Sequence, residues 1–417
     1  MKIGVLTFLH VANFGANLQA TSTYCYLKNQ GHIPVFINYT SYQVWVVNAI
    51  AKYKRKLLHR VVSAQTLEHE RFICEQIKKQ TRNVHTCSQV FDVIKEEGIE
   101  AIIIGSDAVA QHWPLFSTLK LGKHRPFWIE PLQQERRFPN PFWGVGFSDK
   151  IPTAMMSVSS QNSKYHIFTK TVLKRIAKQI DSMTYISVRD AWTKDMMLAA
   201  QPSRAIDVTP DPVFALNYNL GDLIPSENDI RSRFRLPKHY VLVGLRSQVY
   251  SYEELSELNE LFKQEDKECV AFNIDGVYAY KHPFSYEIPL PLNPLDWFAL
   301  IKFASAYIGS NMHPIVSSLT NGVPCFSIDN WGVVDFWGNK KSSNSSKVYD
   351  ILSQYDLTKY WSPINKGRCA VSVYDIVNLL RSFPVEKVKE TSKQRVEKYK
   401  FMMESIFSSF EKDKNGK

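Results

Sequence analysis

Residues 307–331 read Y-I-G-S-N-M-H-P-I-V-S-S-L-T-N-G-V-P-C-F-S-I-D-N-W. The apolar run from Ala304 to Ile308 has strand character and stops at Gly309-Ser310. Asn311 and His313 follow, and then Ile315, Val316 and Leu319 recur at helical spacing until Asn321-Gly322. Val323 to Ile328 starts another strand. Strand, tight loop, helix and strand in this order form one unit of a parallel sheet. His313 falls where the first strand hands over to the helix. Open α/β sheets bind ligands at the carboxyl ends of their strands, and helix N-termini there favour anions. An imidazole at that place titrates near neutral pH, although capping or packing the turn is an equally ordinary use of histidine.

The same alternation extends outward from this unit. Lys2 to Phe8 reads as a first strand. Asn13 to Ala20 leads into a helix running to Lys28, with Gly15 as the turn, and Ile33 to Tyr39 forms the second strand. Residues 45–98 read as largely helical. Ala101 to Ile104 is a buried strand ending in Gly105-Ser106-Asp107. Residues 111–150, rich in Pro, Trp, Phe and Arg, read as a long structured loop. Further strands are expected at Thr153–Ser159 and at Thr184–Val188, the latter ending in Arg189-Asp190. Mixed Gly, Pro, Asn and charge over 215–238 marks a domain boundary. Tyr240 to Leu245 then leads to Arg246, a helix spans 252–265, Val270 to Ile274 is a strand, 283–294 is a loop, and Asp296 caps a helix. A polar, mobile loop is expected over 329–346. Helices are expected at Val348–Ser353, Val373–Ser382 and 385–411. The architecture expected is α/β: two doubly wound Rossmann-like domains, residues 1–220 and 236–384, in the glycosyltransferase-B manner. A C-terminal amphipathic helix and tail, 385–417, would cross back, and the ligand would lie in the cleft between the domains.

A chain of 417 residues exceeds one ordinary core, and 44% hydrophobic with 22% charged content is that of a folded globular protein. The net charge is 51 − 40 = +11. Part of it is local, since nine Lys or Arg face three Glu between Ala51 and Arg82. Such a stretch suits either a solvated helix face or peripheral contact with anionic lipid. No zinc spacing or nucleic-acid motif is present, so neither a metal nor a nucleic-acid partner is expected. Six scattered cysteines without a C-x-x-C pair fit reduced thiols. The N-terminus lacks signal-peptide character and no apolar window is long enough to span a bilayer. A cytoplasmic location is therefore expected, with the basic stretch available to the inner membrane face.

Several short motifs, in order, resemble those of the polysaccharide pyruvyl transferases. Thr7 to Ala20, T-F-L-H-V-A-N-F-G-A-N-L-Q-A, is similar to that family's N-x-G-A-x-L-Q-A. Gly105-Ser106-Asp107 resembles its G-S-D, Ser187-Val188-Arg189-Asp190 its S-V-R-[DE], and Asp211-Pro212-Val213-Phe214 its D-P-x-x. Gly309 to Pro324 resembles its segment with a central His and a later G-x-P, and Ser346-Lys347 its closing S-K. Two departures stand out: Asn311 occupies the place where many members carry Arg, and Ala108-Val109-Ala110 follows G-S-D where many read Q-V-W. An Arg fork grips a carboxylate or phosphate, and Asn cannot supply its charge.

The resemblance implies transfer of a pyruvyl group from phosphoenolpyruvate, as co-substrate and without a cofactor, to two hydroxyls of a sugar. The product is a cyclic ketal in surface polysaccharide synthesis. The acceptor would be a nucleotide- or lipid-linked saccharide. Such chemistry needs a general acid, cations for the donor's carboxylate and phosphate, and a cleft that excludes water. His313 is the expected acid. Arg246, Arg189 and Lys347, with Asn311 and Ser310 of the turn, form the expected donor-binding set. Asn13, Asn17, Gln19 and Asp107 are expected on the acceptor side, with Trp113, Trp143 and Trp331 as stacking surfaces or core. The alternatives are a glycosyltransferase on the same scaffold, using Asp275 or Asp296 on a nucleotide ribose, and a non-catalytic member of the fold.

Overall fold

The structure is a computed structural model. It describes residues 1–57, 62–114, 119–120, 128–129, 133–161, 163–272, 280–330, 332 and 346–415. Two open sheets dominate it. The first has the order β2-β1-β3-β6-β7-β8, with β1 Lys2–Leu6, β2 Ile33–Phe36, β3 Ala101–Asp107, β6 Thr153–Val158, β7 Tyr185–Val188 and β8 Asp207–Val208. Between β3 and β6 lies a small antiparallel pair, β4 Leu119–Lys120 and β5 Trp128–Ile129. The second sheet has the order β11-β10-β9-β12-β13-β14-β15. Its strands are β9 Tyr240–Gly244, β10 Glu268–Ala271, β11 Tyr286–Glu287, β12 Ala306–Gly309, β13 Cys325–Asp329, β14 Trp361–Asn365 and β15 Arg368–Cys369. Within both large sheets every pairing except β14–β15 is parallel.

Parallel strands need cover on both faces, and the sequences supply it with near-continuous apolar runs. Along β3, Ala101 and Ile103 face the core shared with the second sheet, while Ile102 and Ile104 face a separate core. The shared core is continuous from Ile3 and Val5, through Phe14, Leu18, Phe214 and Leu216, to Tyr240 and Ile308. Gly309 is required where β12 pairs with β9, because a Cβ there would stand 2.2 Å from the Gly244 carbonyl oxygen.

The helix Val385–Asn415 joins the two halves, as expected. Near its start, Ser392 Oγ donates to Leu319 O at 2.8 Å on the second half. Further along, the Met402 sulfur accepts from Ser157 and Ser187 of the first sheet, at 3.3 and 3.4 Å. Another contact between halves is made by the helix Ala64–Gln76: Gln65 exchanges two hydrogen bonds with the Leu292 backbone, at 2.8 and 2.7 Å.

Several local expectations are corrected. Gly15 does not make a turn; it lies in the first turn of the helix Phe14–Asn29, which Asn13 caps by accepting from Ala16 N at 2.9 Å. The stretch 215–238, where the boundary is expected, lies between β8 and β9 and is mostly helical, with helices Leu216–Leu220 and Glu227–Phe234, which does not contradict a boundary there. The cap of helix Pro294–Lys302 is Asn293, followed by Pro at the first helical position, where its missing N–H costs nothing. Asp296 pairs instead with Arg233. The segments 273–279 and 333–345, which include Asp275 and most of the expected 329–346 loop, lie outside the described residues, as does Trp331.

Candidate active site

β12 ends at Gly309, and the backbone turns through Asn311 at φ 75°, ψ 152° before the helix Met312–Thr320 begins. That conformation is costly for any residue with a Cβ, of order 1–3 kcal/mol, and such residues gather at functional sites. It throws His313 into a cleft of about 640 Å³ between the two sheets. The cleft is walled by the loop after β1, the carboxyl ends of β3 and β7, and the turns after β9, β12 and β13.

Gly15 faces His313 across this cleft. A Cβ at Gly15 would lie 2.0 Å from the His313 Cγ and Nδ1, so the imidazole rests directly on the glycine backbone of the opposite half. His313 Nε2 is buried and has no hydrogen-bond partner among the described residues. Burial lowers the His313 pKa, and the Arg189 and Lys347 charges act in the same direction against Asp211 and Asp107. The ring is therefore neutral at neutral pH, and an arriving anion would favour its protonation.

Behind the histidine lies a buried ion pair. Arg189 Nη1 donates to Asp211 Oδ2 at 2.7 Å, and the two side chains are 3% and 1% exposed. Asp107 Oδ1 stands 4.0 Å from Arg189 Nη2. Ser106 Oγ lies 3.2 Å from Asp211 Oδ2, and Asp211 Oδ1 accepts from Val213 N at 2.9 Å. Burial pushes the Asp211 pKa up, but Arg189 and His313 together hold the carboxyl below its ordinary value. Asp211 thus stays ionised and orients the cationic side of the cleft.

Lys347, Arg246 and Asp329 lie on the second-sheet side. Lys347 is at the first position of the helix Lys347–Ser353, capped by Ser346, one residue earlier than the helix expected from Val348. Burial and the neighbouring Arg189 lower its pKa to about 8. Burial raises the Asp329 pKa against the pull of the Asn330 N–H, Arg246 and Lys347. A lysine this close to titration in a cleft is suited to an anion, whose arrival restores its full charge.

Of the expected residues, His313, Arg246, Arg189, Asn311, Lys347, Asn13 and Asp107 line this one cleft. Three others do not. Ser310 is buried in the turn, where its N–H donates to Gly244 O and its carbonyl accepts from the Tyr307 hydroxyl. Asn17 is fully buried, with its Oδ1 2.6 Å from His69 Nδ1. Gln19 is buried one helical turn away from the cleft wall. Helix geometry explains both: with the Phe14–Asn29 helix entering at Gly15, positions 17 and 19 turn into the body. Trp143 is core, and Trp113 is turned to Gln111, whose Oε1 accepts its indole N–H at 2.9 Å. Trp297 lines the cleft instead, stacked on Phe14 with centroids 5.2 Å apart.

Sequence reading missed Asp329 and Glu135 as cleft residues, and Asp211 as the buried partner of Arg189 behind the cleft. Asp211 was visible only as part of a D-P motif, and Asp329 only as a carboxylate at a strand end. Glu135 carried no local signal. Its Oε1 accepts from Ser41 N at 2.6 Å, while Oε2 is buried without a partner among the described residues. No group of three or more His, Cys, Asp or Glu among the described residues is placed to hold a metal ion.

Two parallel-sheet halves, a polar cleft between them and a helix returning from the second to the first define an α/β protein of glycosyltransferase-B type. The fold is similar to that of the UDP-GlcNAc 2-epimerase of Neisseria meningitidis, with a TM-score of 0.53 at 10% identity over 98% of this chain and 100% of that one. Weaker likenesses include the glycosyltransferase SnogD of Streptomyces nogalater, with a TM-score of 0.44 at 10% identity over 96% of both chains. Another is an Anabaena protein, HepE, in complex with UDP-glucose, with a TM-score of 0.46 at 10% identity over 99% and 100%. No curated protein matches by sequence. The profile of the polysaccharide pyruvyl transferases, however, matches residues 13–332, most of the 417-residue chain. The chain belongs to the polysaccharide pyruvyl transferase family.

Proposed function

We propose that the protein transfers a pyruvyl group from phosphoenolpyruvate to two hydroxyls of a saccharide, with His313 as the general acid. The observation that carries this reading is the seating of the His313 ring on Gly15, across a cleft that also holds Arg246 and Lys347. Donor binding brings a carboxylate and a phosphate beside the imidazole. Their charge favours the imidazolium, which then delivers its proton to C3 of the enol. A sugar hydroxyl oxygen bonds to the cationic C2, the C2–O bond to phosphate breaks, and a second hydroxyl closes the ketal. Two hydroxyl protons are released: one replaces the proton given to C3, and the other leaves on the phosphate. Positioned proton transfer of this kind contributes roughly 10²–10⁴-fold.

Lys347 and Arg246 are assigned to the donor's negative charge. Arg189, already engaged by Asp211, positions the floor of the cleft and spreads positive potential into it. With Asn311 in the turn, the donor's anionic groups are held from the strand ends after β9 and from the Lys347–Ser353 helix. Asn13, Asp107 and Glu135 lie on the first-sheet side and are assigned to the acceptor.

The test is incubation with phosphoenolpyruvate and a panel of nucleotide- and lipid-linked saccharides. Phosphate release should match a gain of one pyruvyl ketal per acceptor. His313→Gln should lose at least about a hundredfold in rate while keeping its fold. Turnover by a folded His313→Gln at the wild-type rate would remove the residue from this role.

A further inference from the structure

The helix Tyr42–Leu57, Y-Q-V-W-V-V-N-A-I-A-K-Y-K-R-K-L, carries five large apolar side chains in the open. Tyr42 is 57% exposed, Trp45 44%, Val47 61%, Ile50 50% and Tyr53 69%. Projected at 100° per residue, they span more than half of the helix circumference. Among the described residues, the helix is held near its start. Ser41 N–H donates to Glu135 Oε1 at 2.6 Å, and the Trp45 ring lies 5.3 Å from that of His85. Val44 and Asn48, on the remaining sector, line the active-site cleft. The exposed face therefore stands at the mouth of the cleft, on its first-sheet side.

Positive charge follows these residues in the sequence. The helix contains no Asp or Glu, and the sequence places Lys52, Lys54, Arg55, Lys56 and Arg60 in its second half and just beyond. No carboxylate side chain occurs before Glu68. Exposed aliphatic and aromatic side chains followed by a cluster of cations are the composition of a helix that lies in a lipid–water interface. Trp and Tyr rings settle at the headgroup level there, and Lys and Arg meet anionic lipid. Two other occupants suit it less well. A nucleic acid would leave Val47 and Ile50 against water, and two copies paired through this helix would bring like charges together.

We infer that the helix Tyr42–Leu57 docks the protein onto an anionic lipid surface and presents the mouth of the cleft to it. A saccharide carried on a lipid would then reach the cleft without leaving the bilayer. This last consequence rests on the transferase reading; the docking itself does not.

The experiment is co-sedimentation of the full chain with vesicles, without donor or acceptor, so that its failure and that of the transferase reading are separate. Vesicles of phosphatidylcholine mixed with phosphatidylglycerol should carry the protein down at low salt. Vesicles of phosphatidylcholine alone should bind at least about tenfold less. Ile50→Ser with Tyr53→Ser, and separately Lys54→Glu with Arg55→Glu, should each weaken binding about tenfold or more and leave the melting temperature unchanged. The inference is overturned if the wild-type protein stays in the supernatant with the anionic vesicles, or if both variants bind like wild type. It is also overturned if sedimentation velocity shows a dimer that the Ile50→Ser/Tyr53→Ser variant dissociates.

Discussion

Gly15 and His313 are 298 positions apart, yet the imidazole packs so closely on the glycine that no side chain fits between them. Gly15→Ala would place a methyl group 2.0 Å from the imidazole, so the ring must move or the halves must part. The backbone of Gly15 is helical, so the substitution adds no strain of its own. We expect a folded enzyme with turnover lowered at least about a hundredfold, checked by kcat beside circular dichroism; unchanged turnover would contradict the seating role. Asp211→Asn would leave Arg189 buried with only the more distant Asp107 and Asp190 carboxylates to balance it. Loss of one member of such a pair costs about 3–5 kcal/mol, so chemical denaturation should show a large fall in stability. His313 was legible in the sequence because it follows a strand and precedes a helix. Its dependence on Gly15 was not, because a glycine near a strand end reads as a turn unless its neighbour in space is known.

At the scale of elements, the strands announced themselves wherever they were buried on both faces, as Ala101–Ile104 and Tyr240–Leu245 show. Strand ends were less legible: β3 runs on through Ser106 to Asp107, where side-chain and backbone pairing to β6 outweighs the polar composition. The strands β14 and β15 were not read at all, since Trp361–Asn365 contains Pro and polar residues tolerated near a sheet edge. Asn17 and Gln19 were misplaced for a related reason: a motif gives an order of residues, while the helix decides which of them face the cleft. The Val385–Asn415 helix was legible from its amphipathic pattern, and its packing gives it a further task. Met402 is fully buried, and its sulfur accepts from hydroxyls on two strands of the first sheet. Met402→Ala should destabilise by about 2–5 kcal/mol, measured as a shift in the denaturation midpoint. A midpoint within error of wild type would show that the helix does not brace that sheet.

At the scale of the whole molecule, two sheets that differ in sequence and strand count present their carboxyl ends to one cleft. Arg246 and Lys347 line the cleft from the second half, and under the proposed function they take the donor's charge while the first half faces the acceptor. Reversing the charge at Arg246, with Arg246→Glu, should raise the KM for phosphoenolpyruvate at least about tenfold, seen in initial-rate kinetics; an unchanged KM would remove it from the donor site. The pH dependence follows from the direction of the shifts. In the empty cleft the Lys347 pKa is lowered to about 8 and that of His313 lies below its ordinary value. An anionic donor favours the charged form of both, so binding must take up protons. The uptake belongs to His313 near neutral pH and to Lys347 above about 8, and donor affinity should weaken as the pH rises through each group.

Titration calorimetry of phosphoenolpyruvate at neutral pH, repeated in buffers of different ionisation enthalpy, measures this uptake. Wild type should bind the donor with net proton uptake, and His313→Gln should lose that uptake while retaining its fold. Failure of the wild type to bind phosphoenolpyruvate, or an uptake unchanged by His313→Gln, would contradict the assignment of His313 as the acid of an enolpyruvyl-binding cleft.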